Sequence, residues 1–472
     1  MQKILLFIAS LFYFNFLFSK NEIKSWQGIH ETPLSRLEQQ FAEPPVEFAN
    51  HVIWGWEGKM DKKTICNDLD SIKKKGFRAV IFEAGYKLPF KYLSEEWFKA
   101  IRTGVLEAKK RGMKVWIIDE GKYPSGFAGG KFSQERPDLR MQALVIGDTI
   151  QIKRGEVMTN HKIAPEIISA VAVSTSGAPN RTVAINNGEI SFNAGLDDWK
   201  ILLVKSDFRT AVTRAVNNPN GGKDATNSLC DYLNPVAVQQ FIDWTHEQYK
   251  KYLGKELGTT VLGFRGDEPD YAHLPWTPSI VQTFKDTKGY DPTPYLASFF
   301  TTSPTIQEQR VKADYWDVWS SLFATHFFKL QADWCAANGV AHITHLNKEH
   351  EMPACVKAEG DYFRNLSKVQ IPGVDAIWNQ IWPGTLNDFP KLASSVAHVY
   401  GKPRAFSESF AAYHISPTIP QAKFVVDHQI ARGINFFEFM FWPAGSKHRN
   451  WMSDPGMKGL NKYTNRTTYL MS

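Results

Sequence analysis

Cysteine is scarce in this chain: Cys66, Cys230, Cys335 and Cys355 are the only four in 472 residues. That is too few for a disulfide scaffold, and their spacing matches no zinc motif. They read as buried or free thiols, with a Cys335–Cys355 bridge as the one pairing left open in an oxidising compartment. Long runs of like charge are missing too. None exceeds the three lysines at 73–75, and 55 Lys+Arg against 48 Asp+Glu leave a net charge of only +7. A nucleic-acid binder carries a basic stripe, so no nucleic-acid partner is expected. Beyond the N-terminus no segment reaches the roughly 18 uninterrupted apolar residues of a membrane span, so none is expected in the mature chain. No GxGxxG follows the first predicted strand, which argues against an open dinucleotide-binding sheet; HExxH and Walker patterns are also missing. Internal repeats and low-complexity tracts are absent. With 43% hydrophobic and 22% charged residues, the composition excludes a disordered chain, a collagen and a coiled-coil rod.

What is abundant is aromatic: 15 Trp and 32 Phe. That quantity serves either a large core or stacking platforms for a flat apolar ligand face. The N-terminus is a second positive feature. Lys3 precedes an almost wholly apolar run over 4–18, and Ser19 is a small residue at a plausible cleavage point. The run is shorter than the ~20 residues needed to span a bilayer. Residues 1–19 therefore read as a secretory signal peptide, and the mature protein as exported, periplasmic or extracellular. Residues 20–49 form a polar lead-in.

From residue 50 a rhythm begins. Strand patterns at 51–56, 77–85 and 113–121 alternate with helical patterns, including a strongly amphipathic one in which Trp97, Ile101, Val105 and Ala108 recur at helical spacing. Ser94 is placed to cap that helix, with Glu95 and Glu96 in its first turn. Over 141–215 the helices stop and short alternating strands take over, a β-rich insertion. The α/β rhythm then resumes through a helix at 234–254, a strand at 259–268, a long helical stretch at 306–339, and strands at 340–346, 374–382, 403–410 and 434–442. Eight strands alternating with helices predict an α/β fold, a (β/α)8 TIM-type barrel. Its first part spans 50–140, the rest 216–447, and 448–472 form a C-terminal segment.

In such barrels the chemistry sits at the carboxyl ends of the strands. Here those ends carry Trp54, Trp56 and Glu57; Glu83; Asp119 and Glu120; Asp267 and Glu268; His345, Asn347 and Glu349; Asn379 and Gln380; Glu408; and Glu438. Carboxylates crowd one rim, and two carboxylates around a scissile bond are what glycoside hydrolysis requires. Glu268 is the expected general acid. Strand alternation sets it on one face with Leu262, Phe264 and Gly266, and turns Asp267 away beside Arg265 as a structural residue. Glu408 on strand seven is the expected second carboxylate, nucleophile or activator of water. An inverting enzyme would hold the two roughly 6.5–9.5 Å apart, a retaining one about 5 Å.

Other features are weaker. His342 and His345 have H-x-x-H spacing, but residues three apart on a strand face opposite ways. His345 is the pocket residue of the two, and His342 reads as a satisfied core histidine. The glycine-rich loop 121–130 lacks a phosphate-binding pattern and reads as a tight pocket floor. Trp54, Trp56, Tyr86, Trp276, Trp378, Trp382 and Trp442 fall near strand ends, where aromatic faces stack on sugars. The expected substrate contacts are Trp54, Trp56, Glu83, Asp119, Glu120, His345, Glu349, Glu351, Trp378 and Asn379.

The blocks WGWEGKM, YLSEEWFKAI, GMKVWIIDEGKYPSGFAGG, DYLNP, GFRGDEPDY, KGYDPTPYL, RVKADYWD, ITHLNKEHE, IPGVDAIW and YTNRTTYL occur in order. Together they resemble the catalytic region of glycoside hydrolase family 106, the α-L-rhamnosidase-like proteins, over about residues 45–472. The resemblance implies a (β/α)8 barrel, inverting hydrolysis of terminal α-L-rhamnosyl residues of an oligosaccharide or polysaccharide, and an active-site calcium ion. Glu268, in the GDEPDY block, resembles the family's general acid. His345 with Glu349 or Glu351 resembles the segment that reaches sugar and calcium. Two departures stand out. Trp56-Glu57-Gly58 replaces the usual WNG, and the sequence stops at Ser472, where relatives continue into β-sandwich domains. A non-catalytic carbohydrate-binding barrel and a metal-dependent hydrolase of another substrate are the rival readings.

Overall fold

Runs of β-branched and aromatic residues too apolar to face water on either side can only be satisfied inside a covered parallel sheet. Eight such runs close on themselves here. The computed structural model describes residues 24–472 except 25, 30–31, 215, 218–224, 272, 303, 386 and 446–450. Its barrel strands are His51–Trp56, Ala79–Ala84, Lys114–Ile118, Val261–Asp267, Ala341–His345, Ile371–Ala376, Phe406–Ser409 and Phe436–Pro443. Each pairs in parallel with the next, and the last with the first, so the sheet has no free edge. The proposed signal segment lies outside the described residues.

Strand alternation splits the core into two layers. One face, carrying Ile53, Ile81, Trp116, Ile343, Ile371, Phe406 and Phe436, packs in the lumen, and Trp26 from the lead-in meets Trp116 edge-on at 5.9 Å. The other face carries Val52, Trp54, Trp56, Val80, Phe82, Val115 and Ile117 and packs beneath the helices. Helix Glu95–Lys110 buries Trp97, Ile101, Val105 and Ala108, and Ser94 accepts a hydrogen bond from the Trp97 amide as its cap. The C-terminal segment forms helix Met457–Leu470, which packs against helices Ile419–Ile430 and Leu34–Phe41.

Three elements differ from expectation. The sixth strand ends at Ala376, because Trp378 (φ 51°) and Asn379 (φ 57°) adopt left-handed backbone that cannot extend a strand. The 234–254 pattern is two helices, Pro235–Trp244 and His246–Leu253. They break at Thr245 (φ −113°, ψ −83°), whose hydroxyl donates to the Phe241 carbonyl. The third is Trp54 and Trp56, expected at the substrate. Both are fully buried on the helix side: Trp54 donates to Asp68 at 3.2 Å, and Trp56 packs against Phe82 and Trp97. They are core residues, out of reach of any sugar.

The insertion is a five-stranded antiparallel sheet and a three-stranded one. The first is ordered Pro275–Trp276, Gln142–Ile152, Trp199–Phe208, Ile167–Ser174, Arg181–Thr182. Its edge strand Pro275–Trp276 comes from the loop after the fourth barrel strand, so the insertion is stitched to the barrel on both sides. All four cysteines are free thiols, so Cys335 and Cys355 form no bridge.

The placement of Trp56 is testable. Trp56→Ala should lower the unfolding free energy by about 3–5 kcal/mol in denaturant melts. It should leave the KM of the folded fraction unchanged, whereas a sugar-stacking Trp56 would raise KM with little loss of stability.

Candidate active site

A charged side chain inside a strand buried on both faces needs partners, because desolvation is otherwise prohibitive. Arg265 is such a residue. It lies on the fourth barrel strand, fully buried, with its side chain in the mouth of the barrel. Its Nη1 lies 2.8 Å from Asp267 Oδ1 in an ion pair, its Nε donates to Glu438 Oε2 at 3.2 Å, and its Nη2 donates to Glu408 Oε2. Nη2 also meets His345 Nε2 at 2.9 Å. One guanidinium thus ties together the ends of the fourth, fifth, seventh and eighth strands.

His345 is the second hub. Its Nε2 lies 3.5 Å from Asp267 and 3.4 Å from Glu408, and its Nδ1 lies 3.6 Å from Glu349. Burial and Arg265 oppose its protonation, but the bonds to Asp267, Glu349 and Glu408 outweigh them and push its pKa well above that of free imidazole. A second triad, Glu268–His345–Asp375, has its ligating atoms within 4.8 Å of one another, as does Asp267–His345–Glu408.

The carboxyls differ in state. Burial pushes Glu268 up to about 8, with Asp267, Glu349 and Glu408 adding and His345 opposing. Burial also raises Glu438 to about 7 against the pull of Arg265, and raises Asp375, beside Glu408, well above the usual range. Burial works against Asp267 as well, yet Arg265 and His345 hold it well below the usual range. Glu268 and Asp267, neighbours in sequence, are thus pushed in opposite directions, the pattern by which acid and base roles are separated.

The glycine-rich loop sets this geometry from below. Glu120 accepts the amide N–H groups of Gly121, Ala128 and Gly129, curling the loop around its carboxylate. The curl presents Ser125, whose hydroxyl donates to Asp119 at 2.6 Å and accepts the Asp267 amide at 2.6 Å, while its own amide donates to the Asp267 carbonyl. Glu268 follows with φ 38°, a strained conformation for a non-glycine residue. That turn brings consecutive residues Asp267 and Glu268 into the same mouth. The expectation that Asp267 and Arg265 face away is thus corrected: Phe264 faces the helices, Arg265 and Asp267 face the mouth, and the turn rather than strand parity delivers Glu268.

Other expected residues sort themselves. His345, Glu349, Glu268 and Glu408 converge. Glu83 pairs with Lys122 at 3.0 Å in an adjoining cleft of about 350 Å³. Asp119 and Glu120 are buried beneath the mouth as supports, without a face open to a sugar. Glu351 points to solvent, 65% exposed, beside His350. Asn379 spends its side-chain oxygen on the His414 and Ile415 amides. Trp378 stands at the rim with half its surface open, a free aromatic face. Beyond Asp270 a cleft of about 610 Å³ is lined by Phe299, Phe300, Trp316, Lys348 and Lys357. Arg265 and Asp375 are members of the site missed from sequence, Asp267 was expected to be structural, and Glu438 was named only as one of the rim carboxylates. The signal was present in each case: an ionisable side chain inside an otherwise apolar strand.

A family model described as alpha-L-rhamnosidase matches residues 159–467, more than half of the chain. A Formosa agariphila protein named "Putative beta-glucuronidase" is 24% identical over 480 residues, covering 90% of this chain and 39% of that protein. The solved rhamnosidase from Novosphingobium sp. PP1Y superposes with a TM-score of 0.70 at 15% identity, over 93% of this chain and 61% of that one. The chain thus spans less than two thirds of the length of either relative.

Arg265→Met should cost about 3–5 kcal/mol of stability at neutral pH, because three carboxylates lose their common cation. The loss should shrink as pH falls. Asp267, held low in the folded protein, contributes stability that is present above the unfolded carboxylate pKa of about 4 and lost below it. Melting both proteins between pH 2 and pH 7 checks this; a gap that does not shrink below pH 4 would contradict it.

Proposed function

The chain belongs to the alpha-L-rhamnosidase family of glycoside hydrolases, family 106, and from that membership and the mouth geometry we propose that it cleaves terminal α-L-rhamnosyl residues from an oligosaccharide or polysaccharide by an inverting two-carboxylate mechanism. The observation that carries this reading is Glu268. Its carboxyl is held neutral at pH 7, accepts no hydrogen bond from a described residue, and stands at the barrel mouth beside an ion-paired second carboxylate. A glycosidic oxygen placed against Glu268 receives its proton as the C–O bond breaks. Glu408 acts as the base. Its Oε2 is held by Arg265 and His345, while its Oε1 accepts no hydrogen bond from a described residue and is free for a water. That water loses a proton to Glu408 as it attacks the anomeric carbon from the opposite face. The turnover leaves Glu268 ionised and Glu408 protonated, and solvent restores both.

The remaining groups fit a sugar. Trp378 offers an open ring at the rim, and the aromatic cleft beyond Asp270 gives the leaving-group side a place to lie. The implied calcium ion is part of the proposal on grounds of charge. Among the described residues, Asp267, Glu349, Glu408 and Glu438 form their ion pairs with Arg265 and His345 alone, and Asp375 Oδ1 is buried without a partner. Asp375 would hold the ion, which would supply positive charge and an oxygen-rich template for sugar hydroxyls. Export is proposed from the apolar run at 4–18. Among the described residues no helix is long and apolar enough to cross a membrane.

Glu268→Gln should lower kcat on an unactivated α-L-rhamnoside by about 10²–10⁴-fold. The wild-type kcat/KM should fall as pH rises through about 8, where Glu268 loses its proton, and that limb should be missing from the variant. Proton NMR of the first product should show β-L-rhamnose; an α product would replace inversion with retention. Full activity in Glu268→Gln would end the assignment, and a well-folded protein without turnover on any aryl glycoside would leave a carbohydrate-binding barrel. Chelation should reduce activity and calcium restore it; an unchanged rate would leave protonation alone to relieve the carboxyl surplus.

A further inference from the structure

On the opposite side of the fifth barrel strand from His345 lies a group that the reaction does not use. His342 faces the helix layer, where it meets His246, from the start of helix His246–Leu253, and Cys335, from helix Lys329–Ala337. One ligating atom from each lies within 4.8 Å of the others, and all three residues are fully buried. The ligand atoms of one trigonal ion stand about 3.5–4 Å apart, given metal–ligand bonds of roughly 2.0–2.3 Å. The group is therefore one small adjustment from a binding geometry.

An ordinary core would satisfy these rings, and this one does not. His246 Nδ1 bonds Thr245 Oγ1 at 2.9 Å, which fixes the ring, yet its Nε2 has no partner. His342 Nδ1 has none either, so the sequence reading of a satisfied core histidine is corrected. Two unpartnered imidazole nitrogens therefore lie in a buried layer walled by Phe264 and Trp334, whose rings pack on His246 at 4.3 and 5.1 Å.

We propose that His246, Cys335 and His342 form a buried three-coordinate site for a soft d10 ion, copper(I). Three arguments select the ion. Thiolate sulfur selects soft metals. The described residues offer three ligands, which suits trigonal copper(I) better than tetrahedral zinc. Charge decides most strongly: copper(I) with one thiolate and two neutral imidazoles is net neutral, whereas zinc(II) would leave a buried positive charge with no counter-ion. Binding displaces the Cys335 proton to solvent, and no electron moves. The site would pin the fifth strand to two helices without touching substrate.

The test is metal analysis of protein produced in copper-supplemented medium and desalted under reductant against a mild copper(I) chelator, with zinc-supplemented protein in parallel. One equivalent of copper, with X-ray absorption showing one sulfur and two nitrogen neighbours, is the expected result. Glu268→Gln should keep that copper, since the mouth contains no sulfur ligand, and Cys335→Ala should lose it while keeping glycosidase turnover. Well-folded wild-type protein holding less than about a tenth of an equivalent would overturn the proposal. So would copper without a sulfur neighbour, or one equivalent of zinc in place of copper. The absorption measurement uses the wild-type protein, so it decides the matter even where a variant fails to fold.

Discussion

The buried guanidinium of Arg265 is the constraint on which the mouth of this barrel depends. A TIM-type barrel brings eight strand ends to one rim but does not by itself fix how carboxylates on different strands sit relative to one another. Arg265 does so by pairing with Asp267, Glu408 and Glu438, which belong to the fourth, seventh and eighth strands. An arginine suits this task because its planar fork offers several fixed donor directions, where an ammonium offers a point charge. With one cation at its centre, the ring of carboxylates can be close enough for concerted chemistry without flying apart.

The same cation leaves the site short of positive charge, and that shortage has a chemical use. Asp267 and Glu408 lie in direct contact with Arg265, while Glu268 and Asp375 sit in the same mouth without a guanidinium contact of their own. Burial then drives the proton onto Glu268 and Asp375. Acid and base characters thus separate through burial and the charges each carboxyl meets, not through residue type: Glu438 touches Arg265 and is still raised to about 7. The glycine-rich loop matters because it holds this partition in place. Glu120 folds the loop, the loop presents Ser125, and Ser125 grips the Asp267 backbone on both sides. Gly126 takes a positive φ of 96° at the tightest point, where an added Cβ would meet the Tyr232 ring at 2.5 Å.

Much of this was legible in the sequence, for identifiable reasons. The barrel follows from eight apolar runs alternating with amphipathic helices, because hydrophobic periodicity is set by backbone geometry alone. Glu268, Glu408, His345 and Glu349 were legible because strand ends mark the rim. Trp54 and Trp56 were misplaced because an aromatic at a strand end can face either layer, and parity alone does not say which. The parity argument likewise turned Arg265 and Asp267 the wrong way, since a register irregularity between Val261 and Gly263 resets the alternation of the fourth strand. Asp375 was lost when the sixth strand was read three residues late; the left-handed turn at Trp378 and Asn379 leaves no trace in hydropathy.

Parity also explains how one short strand serves two unrelated groups. His342 and His345 are three residues apart, so a regular strand sends them to opposite faces. His345 enters the carboxylate mouth, where Asp267, Glu349 and Glu408 raise its pKa against burial and Arg265. His342 enters the aromatic layer, where burial pushes its pKa down to about 3. Two identical side chains in one five-residue strand are thus pushed in opposite directions. The backbone alone decides which chemistry each meets. A change of spacing from three to four would put both rings on one face and dissolve the separation between the mouth and the helix layer. The H-x-x-H spacing here is therefore a device for keeping the two histidines apart, not for chelating a shared ion.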